Sequence, residues 1–174
     1  MGTRSTDLAE PAEGIGHDKN GMPFLVRPFR PTDREALERF YEEFEPKQHA
    51  QGLPPAHPAR RRCWLESILA DGQHFLATHG GELIGHAFIV PTAEAGIGEY
   101  AVFLREEARG RGIGTAVNRI AAEAARRSGW RGLWLTVEPR NRRAVGSYEN
   151  AGFRFIPTTV FSLEAEMRLD LGAA

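Results

Sequence analysis

Three glycines at alternating positions, Gly110, Gly112 and Gly114, constrain the fold of this chain more than any other feature of its sequence. They lie in the segment 109–115, Arg-Gly-Arg-Gly-Ile-Gly-Thr, between a short apolar strand pattern and a long helix pattern rich in alanine and arginine. Glycine lets the backbone turn sharply and leaves N–H groups uncovered, so these groups can converge on an anion at the N-terminus of the following helix. The segment therefore predicts a phosphate-binding loop.

Composition limits the partners of this loop. The chain has 174 residues, of which 41% are hydrophobic, which is enough for one well-filled core. We expect a flexible leader over residues 1–21 and a single domain over residues 22–174. The net charge of −1 gives no global attraction to nucleic acid or to an anionic membrane, and we expect neither as a partner. Anion binding must come from a local cluster, and residues 105–143 hold ten arginines against four glutamates.

The cysteine and histidine content points to a reducing compartment and to chemistry without a metal. The single Cys63 excludes an internal disulfide framework and a cysteine-based zinc site, so we expect a cytoplasmic protein. The six histidines show no metal-type i, i+4 pair. No apolar run approaches the roughly 18 residues of a membrane span, and the N-terminus lacks the apolar core of a secretory signal.

The hydrophobic periodicity switches several times between that of strands and that of helices. Strands are predicted over 23–30, 74–78, 82–90, 99–104, 133–137 and 161–171, and helices over 34–44, 64–72, 116–125 and 142–150. Gly80-Gly81 separates two strands as a hairpin turn does. The pattern therefore predicts an α/β domain with one central mixed, mostly antiparallel sheet flanked by helices.

Two other phosphate loops fit the sequence poorly. A P-loop requires Lys-Ser/Thr after its last glycine, whereas Thr115 and Ala116 follow Gly114. A dinucleotide fold places its glycines directly after the strand and an acid about 20 residues further on, where Glu138 roughly lies. Residues 105–109 separate the strand from Gly110, which is too long for that tight turn.

Residues 98–155 resemble the GNAT superfamily of acyl-CoA-dependent N-acetyltransferases. The cofactor signature of that superfamily, Arg/Gln-x-x-Gly-x-Gly/Ala, is matched by Arg109–Gly114, and three further motifs occur in the family's order: a strand that begins with an acid (99–104), Val-Glu-Pro-Arg-Asn (137–141) and a tyrosine followed by Ala-Gly-Phe (148–153). The resemblance is looser over 24–90. Glu106 stands where many members have proline, which we expect to leave the cofactor site intact.

The resemblance implies a binding site for the donor, acetyl-CoA, and no metal. The pyrophosphate would lie on the loop formed by Arg109, Gly110, Arg111, Gly112, Ile113, Gly114 and Thr115, mainly on backbone N–H groups. Backbone groups of Val102, Phe103 and Leu104 would pair with the pantetheine amides, and an N–H near Leu104 would polarise the thioester carbonyl. Asn141 would bind the pantetheine arm or cap the helix that begins at Arg142.

The resemblance also implies two proton-transfer groups. Tyr148 occupies the position of the family's general acid, although a tyrosine on a short helix beside a sheet can also be a core residue. Glu99 is the candidate general base, acting through water, although an exposed glutamate on a strand is the plain alternative. Cys63 lacks a His or Asp positioned to activate it, which favours direct transfer in a ternary complex over a covalent enzyme intermediate.

For the acceptor substrate, the resemblance implies only a chemical class and an approximate location. The family implies an amine acceptor, either a small molecule or a protein lysine or N-terminus, bound near residues 40–62 and 158–161, and a homodimer is common among its members. A non-catalytic acyl-CoA-binding sensor or interaction module is the alternative function. Tyr148 and Glu99 favour the enzyme, because binding alone needs neither of them.

Overall fold

The computed structural model describes residues 13–46, 54–157 and 163–172, which form one eight-stranded sheet and four α-helices. The strands are β1 (Gly14–His17), β2 (Pro23–Pro28), β3 (Gln73–His79), β4 (Glu82–Pro91), β5 (Ile97–Leu104), β6 (Gly132–Val137), β7 (Arg154–Phe155) and β8 (Ala165–Asp170). The helices are α1 (Arg34–Glu43), α2 (Pro58–Leu69), α3 (Ile113–Arg127) and α4 (Arg142–Asn150).

The sheet has the order β1-β2-β3-β4-β5-β6-β8-β7. Every neighbouring pair is antiparallel except β5 and β6, which confirms the predicted mixed, mostly antiparallel sheet. The turn between β3 and β4 consists of Gly80 and Gly81, both at positive φ, as the hairpin pattern indicates. The last strand is shorter than its sequence pattern, since it begins at Ala165, and residues 161 and 162 lie outside the described part of the chain.

The helices cover both faces of the sheet and bury two hydrophobic clusters. Helices α1 and α2 pack on one face, where Phe40 and Leu65 meet Phe103 of β5. Helices α3 and α4 pack on the other face, where Val117 meets Tyr100 of β5. Successive side chains of a strand point to opposite faces, so β5 contributes to both clusters and lies at the centre of the domain.

The first strand corrects the predicted leader. Residues 14–17 pair with β2 instead of forming a flexible segment, so the sheet begins inside the predicted leader of residues 1–21. A Cβ atom on Gly14 would lie 2.8 Å from Ile120 Cδ1, and one on Gly16 would lie 2.4 Å from the Phe24 ring. These glycines, which look like a linker in the sequence, let β1 pack closely against neighbouring side chains.

The two parallel strands at the centre of the sheet separate soon after they meet. Residues 97–99 of β5 pair with residues 132–134 of β6, and the pairing stops there. On its other edge, β6 pairs with β8 along its whole length. A gap therefore opens between β5 and β6 beyond Glu99, and it leaves one edge of β5 unpaired from Tyr100 to Leu104.

Candidate active site

The unpaired edge of β5 presents backbone groups to the gap. The Arg105 N–H donates to Ile84 O of β4 at 2.9 Å, so the backbone of residue 105 faces β4. Strand alternation then turns the backbone groups of Tyr100, Val102 and Leu104 toward the gap and those of Phe103 toward β4. The backbone groups of Val102 and Leu104 are thus placed to pair with an extended amide. Those of Phe103 are not, in contrast to our expectation. The backbone groups of Tyr100 also face the gap, which the sequence motif did not indicate.

The glycine loop lies at the end of this open edge. Gly110 and Gly112 have φ of 73° and 87°, which L side chains rarely adopt, and Gly112 is the N-cap of α3. Among the described residues, the N–H groups of Ile113, Gly114 and Thr115 have no hydrogen-bond acceptor, as expected for the first turn of a helix. A Cβ on Gly110 would meet no atom within 4 Å. Open space beside free N–H donors fits a phosphate group.

The third glycine of the loop has a different role. A Cβ on Gly114 would lie 3.0 Å from Ser147 Oγ and 3.3 Å from Leu104 Cδ1. Gly114 therefore lets the first turn of α3 approach both α4 and β5. A side chain at this position would change the site by displacing α4 or β5.

The two arginine side chains of the loop are engaged with the protein itself. Arg109 donates from Nε to Leu104 O at 2.8 Å and from Nη2 to Glu45 O at 2.7 Å. The Arg109 N–H donates to Glu106 O at 3.1 Å, so it is not free for an anion, in contrast to our expectation. Arg111 forms an ion pair with Asp18, whose side chain is buried. Both arginines hold the loop in place rather than present a free charge to the gap.

Tyr148 lies beside the point where β5 leaves β6. Its ring is buried and lies 6.4 Å from the Tyr100 ring and 5.6 Å from the Phe153 ring, centroid to centroid. Within the part of the chain that the structure describes, its hydroxyl has no hydrogen-bond partner, and it is not sealed from solvent. Burial raises the pKa of the Tyr148 phenol, which keeps the hydroxyl protonated at neutral pH.

A buried polar chain connects these elements, and sequence reasoning missed it. The Tyr100 hydroxyl donates to Asn118 Oδ1 at 2.8 Å, and Asn118 Nδ2 donates to Ser147 Oγ at 3.0 Å. Thr115 Oγ1 lies 3.4 Å from the same Ser147 Oγ. The available signal was an asparagine on the apolar face of the α3 pattern, next to Val117.

The remaining predicted residues lie at opposite ends of the gap. Glu99 is exposed and is the last residue of β5 that pairs with β6. Strand alternation places its side chain on the same face as Phe103, the face that α1 and α2 cover. Asn141 is the N-cap of α4, and its Oδ1 accepts a hydrogen bond from Ala144 N at 3.2 Å. Its capping role is therefore present, and its Nδ2 has no partner among the described residues.

The expected acceptor segments are described only in part, since residues 47–53 and 158–161 lie outside the described residues. A pocket that overlaps the range 40–62 lies between α1 and α2, and four of its seven lining residues are charged. Its lining is Glu38, Tyr41, Glu42, Pro58, Arg61, Arg62 and Leu65.

Residues 13–46, 54–157 and 163–172 contain neither a group of metal ligands nor a membrane-spanning helix. No three His, Cys, Asp or Glu side chains there are grouped as a metal ion would require. None of the helices there combines the length and the apolar character needed to cross a bilayer.

Comparison with known proteins gives consistent results. The sequence model of the Acetyltransferase (GNAT) family matches residues 34–153. Mycothiol acetyltransferase of Streptomyces avermitilis is 39% identical over 80 residues, which cover 45% of this chain and 26% of the relative. The chain thus spans about a quarter of that relative's length.

Two solved structures share the fold. The GNAT domain of S. lividans PAT superposes with a TM-score of 0.76 at 23% identity, over 91% of this chain and 97% of that one. A phosphinothricin acetyltransferase of the GNAT superfamily from Sinorhizobium meliloti was solved in complex with AcCoA. It superposes with a TM-score of 0.66 at 20% identity, over 84% of this chain and 88% of that one. The glycine loop, the gap beside β5 and the family match over 34–153 lead to one conclusion: this chain belongs to the Acetyltransferase (GNAT) family.

Proposed function

We propose that this protein is an N-acetyltransferase that moves an acetyl group from acetyl-CoA to a primary amine by direct transfer within a ternary complex. One observation carries the proposal: Tyr148 lies at the apex of a gap whose one side is the free edge of β5 and whose end is the glycine loop. A pantetheine thioester needs an extended channel of this kind, with an anion site at one end and a proton donor at the other.

Acetyl-CoA, when bound, supplies the activated acyl group. The N–H groups of Ile113, Gly114 and Thr115 would hold its pyrophosphate, because they are directed donors at the positive end of α3. Val102 and Leu104 would hold the pantetheine arm as a neighbouring strand would. The Leu104 carbonyl already accepts from Arg109 Nε, so the Leu104 N–H is its remaining backbone group.

Transfer to an amine leaves two proton tasks to the chain. The departing thiolate needs a hydrogen-bond donor, and the Tyr148 hydroxyl is protonated and has no partner among the described residues. The attacking amine must lose a proton, and Glu99 is exposed on the opposite face of the sheet, where a water can link it to the acceptor. Donor and acceptor would therefore approach the gap from different faces. Among the described residues no His, Asp or Glu forms a hydrogen bond with Cys63 of α2, which agrees with transfer without a covalent enzyme intermediate.

The proposed acceptor is a small polar amine. The S. avermitilis relative is named for mycothiol and the S. meliloti structure for phosphinothricin, so family members differ in acceptor. The pocket between α1 and α2 favours a small polar amine, because Glu38, Glu42 and Arg62 line it. The Arg61 guanidinium in the same pocket already donates to Pro55 O and Ala56 O.

The test is release of free thiol from acetyl-CoA across a panel of amino acids, small amines, and peptides with free lysine or N-terminal amines. We expect acceptor-dependent thiol release, with the acetylated product identified by mass spectrometry. Calorimetric binding of CoA without turnover on any acceptor would instead support the acyl-CoA-binding module. Absence of CoA binding would contradict both functions.

A further inference from the structure

The turn between β1 and β2, residues 18–22, lies directly against the glycine loop. The Lys19 N–H donates to Arg111 O at 3.0 Å, and the Asp18 carboxylate pairs with the Arg111 guanidinium. One backbone bond and one ion pair therefore fix this turn to the middle of the loop. The family match begins only at residue 34, so this turn lies outside it.

Asp18 sets the shape of the turn. Its Oδ1 accepts hydrogen bonds from Asn20 N at 2.8 Å and from Met22 N at 2.9 Å, while its Oδ2 faces Arg111. Burial opposes the charged form, yet the two N–H donors and Arg111 hold the pKa of Asp18 below its ordinary value. The carboxylate is thus ionised and committed to the turn, so the backbone of Lys19 is held in a defined place.

Lys19 is the neighbour of the open side of Gly112. Its Cγ lies 3.9 Å from the point that a Cβ on Gly112 would occupy, and the residue is exposed. Lys19 has no ion pair within residues 13–46, 54–157 and 163–172, whereas Arg109 and Arg111 are both engaged. The Lys19 side chain therefore runs past the open side of Gly112, next to the first turn of α3, and its ammonium group has no ion-pair partner among the described residues.

We propose that Lys19 binds the pyrophosphate of coenzyme A, so that the β1–β2 turn is part of the donor site. The inference rests on the proposed function, since it assumes that the loop holds this cofactor. A lysine ammonium is a compact charge with three donors and reaches a phosphate from many directions. The α3 N–H groups offer partial charges, and Lys19 adds the full charge that the loop arginines do not provide.

The test measures CoA and dephospho-CoA binding by calorimetry for the wild type and for Lys19→Met. We expect Lys19→Met to bind both ligands about tenfold more weakly, because a charge-assisted hydrogen bond to a group common to both is lost. Lys19→Arg, which keeps the charge, should recover most of the affinity. Arg127→Met is the matched control, since it removes an exposed charge from the other end of α3, about 20 Å away at 1.5 Å per residue.

The possible failures are distinguishable. Wild-type affinity in Lys19→Met, or an equal loss in Arg127→Met, would overturn the inference and leave the proposed function standing. A loss confined to CoA would also overturn it, because it would place the contact at the ribose 3′-phosphate, which dephospho-CoA lacks. Absence of CoA binding by the wild type would overturn the proposed function itself.

Discussion

The Tyr100 hydroxyl donates a hydrogen bond to Asn118 Oδ1 at 2.8 Å, and this bond joins β5 to α3 inside the core. Asn118 is fully buried, and its Nδ2 donates a second hydrogen bond to Ser147 on α4, one residue before Tyr148. Three elements that line the gap are therefore tied by one polar chain. A buried chain of this kind specifies how its elements meet, because each member is costly to leave unpaired.

Asn118→Ala should lower the free energy of unfolding by about 1–3 kcal/mol, because it leaves the buried Tyr100 hydroxyl without its acceptor. Urea denaturation followed by circular dichroism measures this. Asn150→Ala is the control at the exposed end of α4 and should change stability by no more than about 0.5 kcal/mol. Equal urea midpoints for Asn118→Ala and the wild type would show that the hydrogen bonds of Asn118 contribute nothing to stability.

Tyr148→Phe should lower kcat by about 10²-fold or more while the Kd for CoA changes little, since general acid catalysis contributes that much and the hydroxyl has no partner in the described protein. Steady-state kinetics and calorimetry measure the two quantities. An unchanged kcat would remove Tyr148 from the proton-transfer step and leave it a core residue.

Glu99→Gln should flatten the acidic limb of the pH profile of kcat/KM, because a general base is active only when it is deprotonated. The residue is exposed, so stability should stay the same. Glu82→Gln, an exposed glutamate at the start of β4, is the control. A Glu99→Gln profile that superposes on the wild-type profile would assign deprotonation of the amine to water alone.

A second buried polar chain lies under α1. Tyr41 OH is 2.6 Å from His86 Nδ1, His86 Nε2 is 3.1 Å from His74 Nδ1, and His74 Nε2 is 3.3 Å from Asp71 O. The carbonyl can only accept, so neutral His74 must donate from Nε2. It follows that His86 donates to His74 and that Tyr41 donates to His86. Burial, then repulsion from His74, lowers the pKa of His86 well below its ordinary value.

The hydrogen-bonded pair His86 and His74 should make the protein less stable in acid. Both histidines are neutral when folded, whereas in the unfolded chain they take up a proton near pH 6.5, so the unfolded state binds more protons below that pH. The free energy of unfolding should therefore fall as the pH drops below about 6.5, by up to about 1.4 kcal/mol per pH unit for each histidine.

His86→Gln provides the measurement, because it removes one titrating group and should reduce the slope of stability against pH between 6.5 and 5. His57→Gln, at the exposed N-cap of α2 and outside this hydrogen-bonded set, is the control variant. A wild-type slope in His86→Gln would mean that other groups cause the acid sensitivity.

The sequence predicted β5, the glycine loop and α3 well. The change from strand to helix period around Gly110–Gly114 identified β5, the loop and α3, because positive φ and a helix N-terminus leave a local signature in glycine spacing. The hairpin at Gly80 and Gly81 was equally local. These features depend on residues close together along the chain.

Features that depend on contacts between distant residues were not predictable. β1 has two glycines in four residues, and its pairing with β2 and its close approach to Phe24 and Ile120 all involve residues further along the chain. The engagement of Arg111 by Asp18 joins residues 93 positions apart. The sequence placed Arg109 and Arg111 in the predicted phosphate loop, and it did not show that the fold uses their side chains to hold the loop.

CoA binding by Gly112→Val, measured by calorimetry beside Gly129→Val, tests the proposed donor site most directly. Both glycines have similar positive φ, 87° and 82°, at opposite ends of α3, so both variants carry a comparable backbone strain of about 1–3 kcal/mol. We expect Gly129→Val to keep the wild-type Kd and Gly112→Val to lose measurable binding, because only Gly112→Val changes the loop that we propose holds the pyrophosphate. Wild-type affinity in a folded Gly112→Val protein would contradict the placement of the cofactor on this loop.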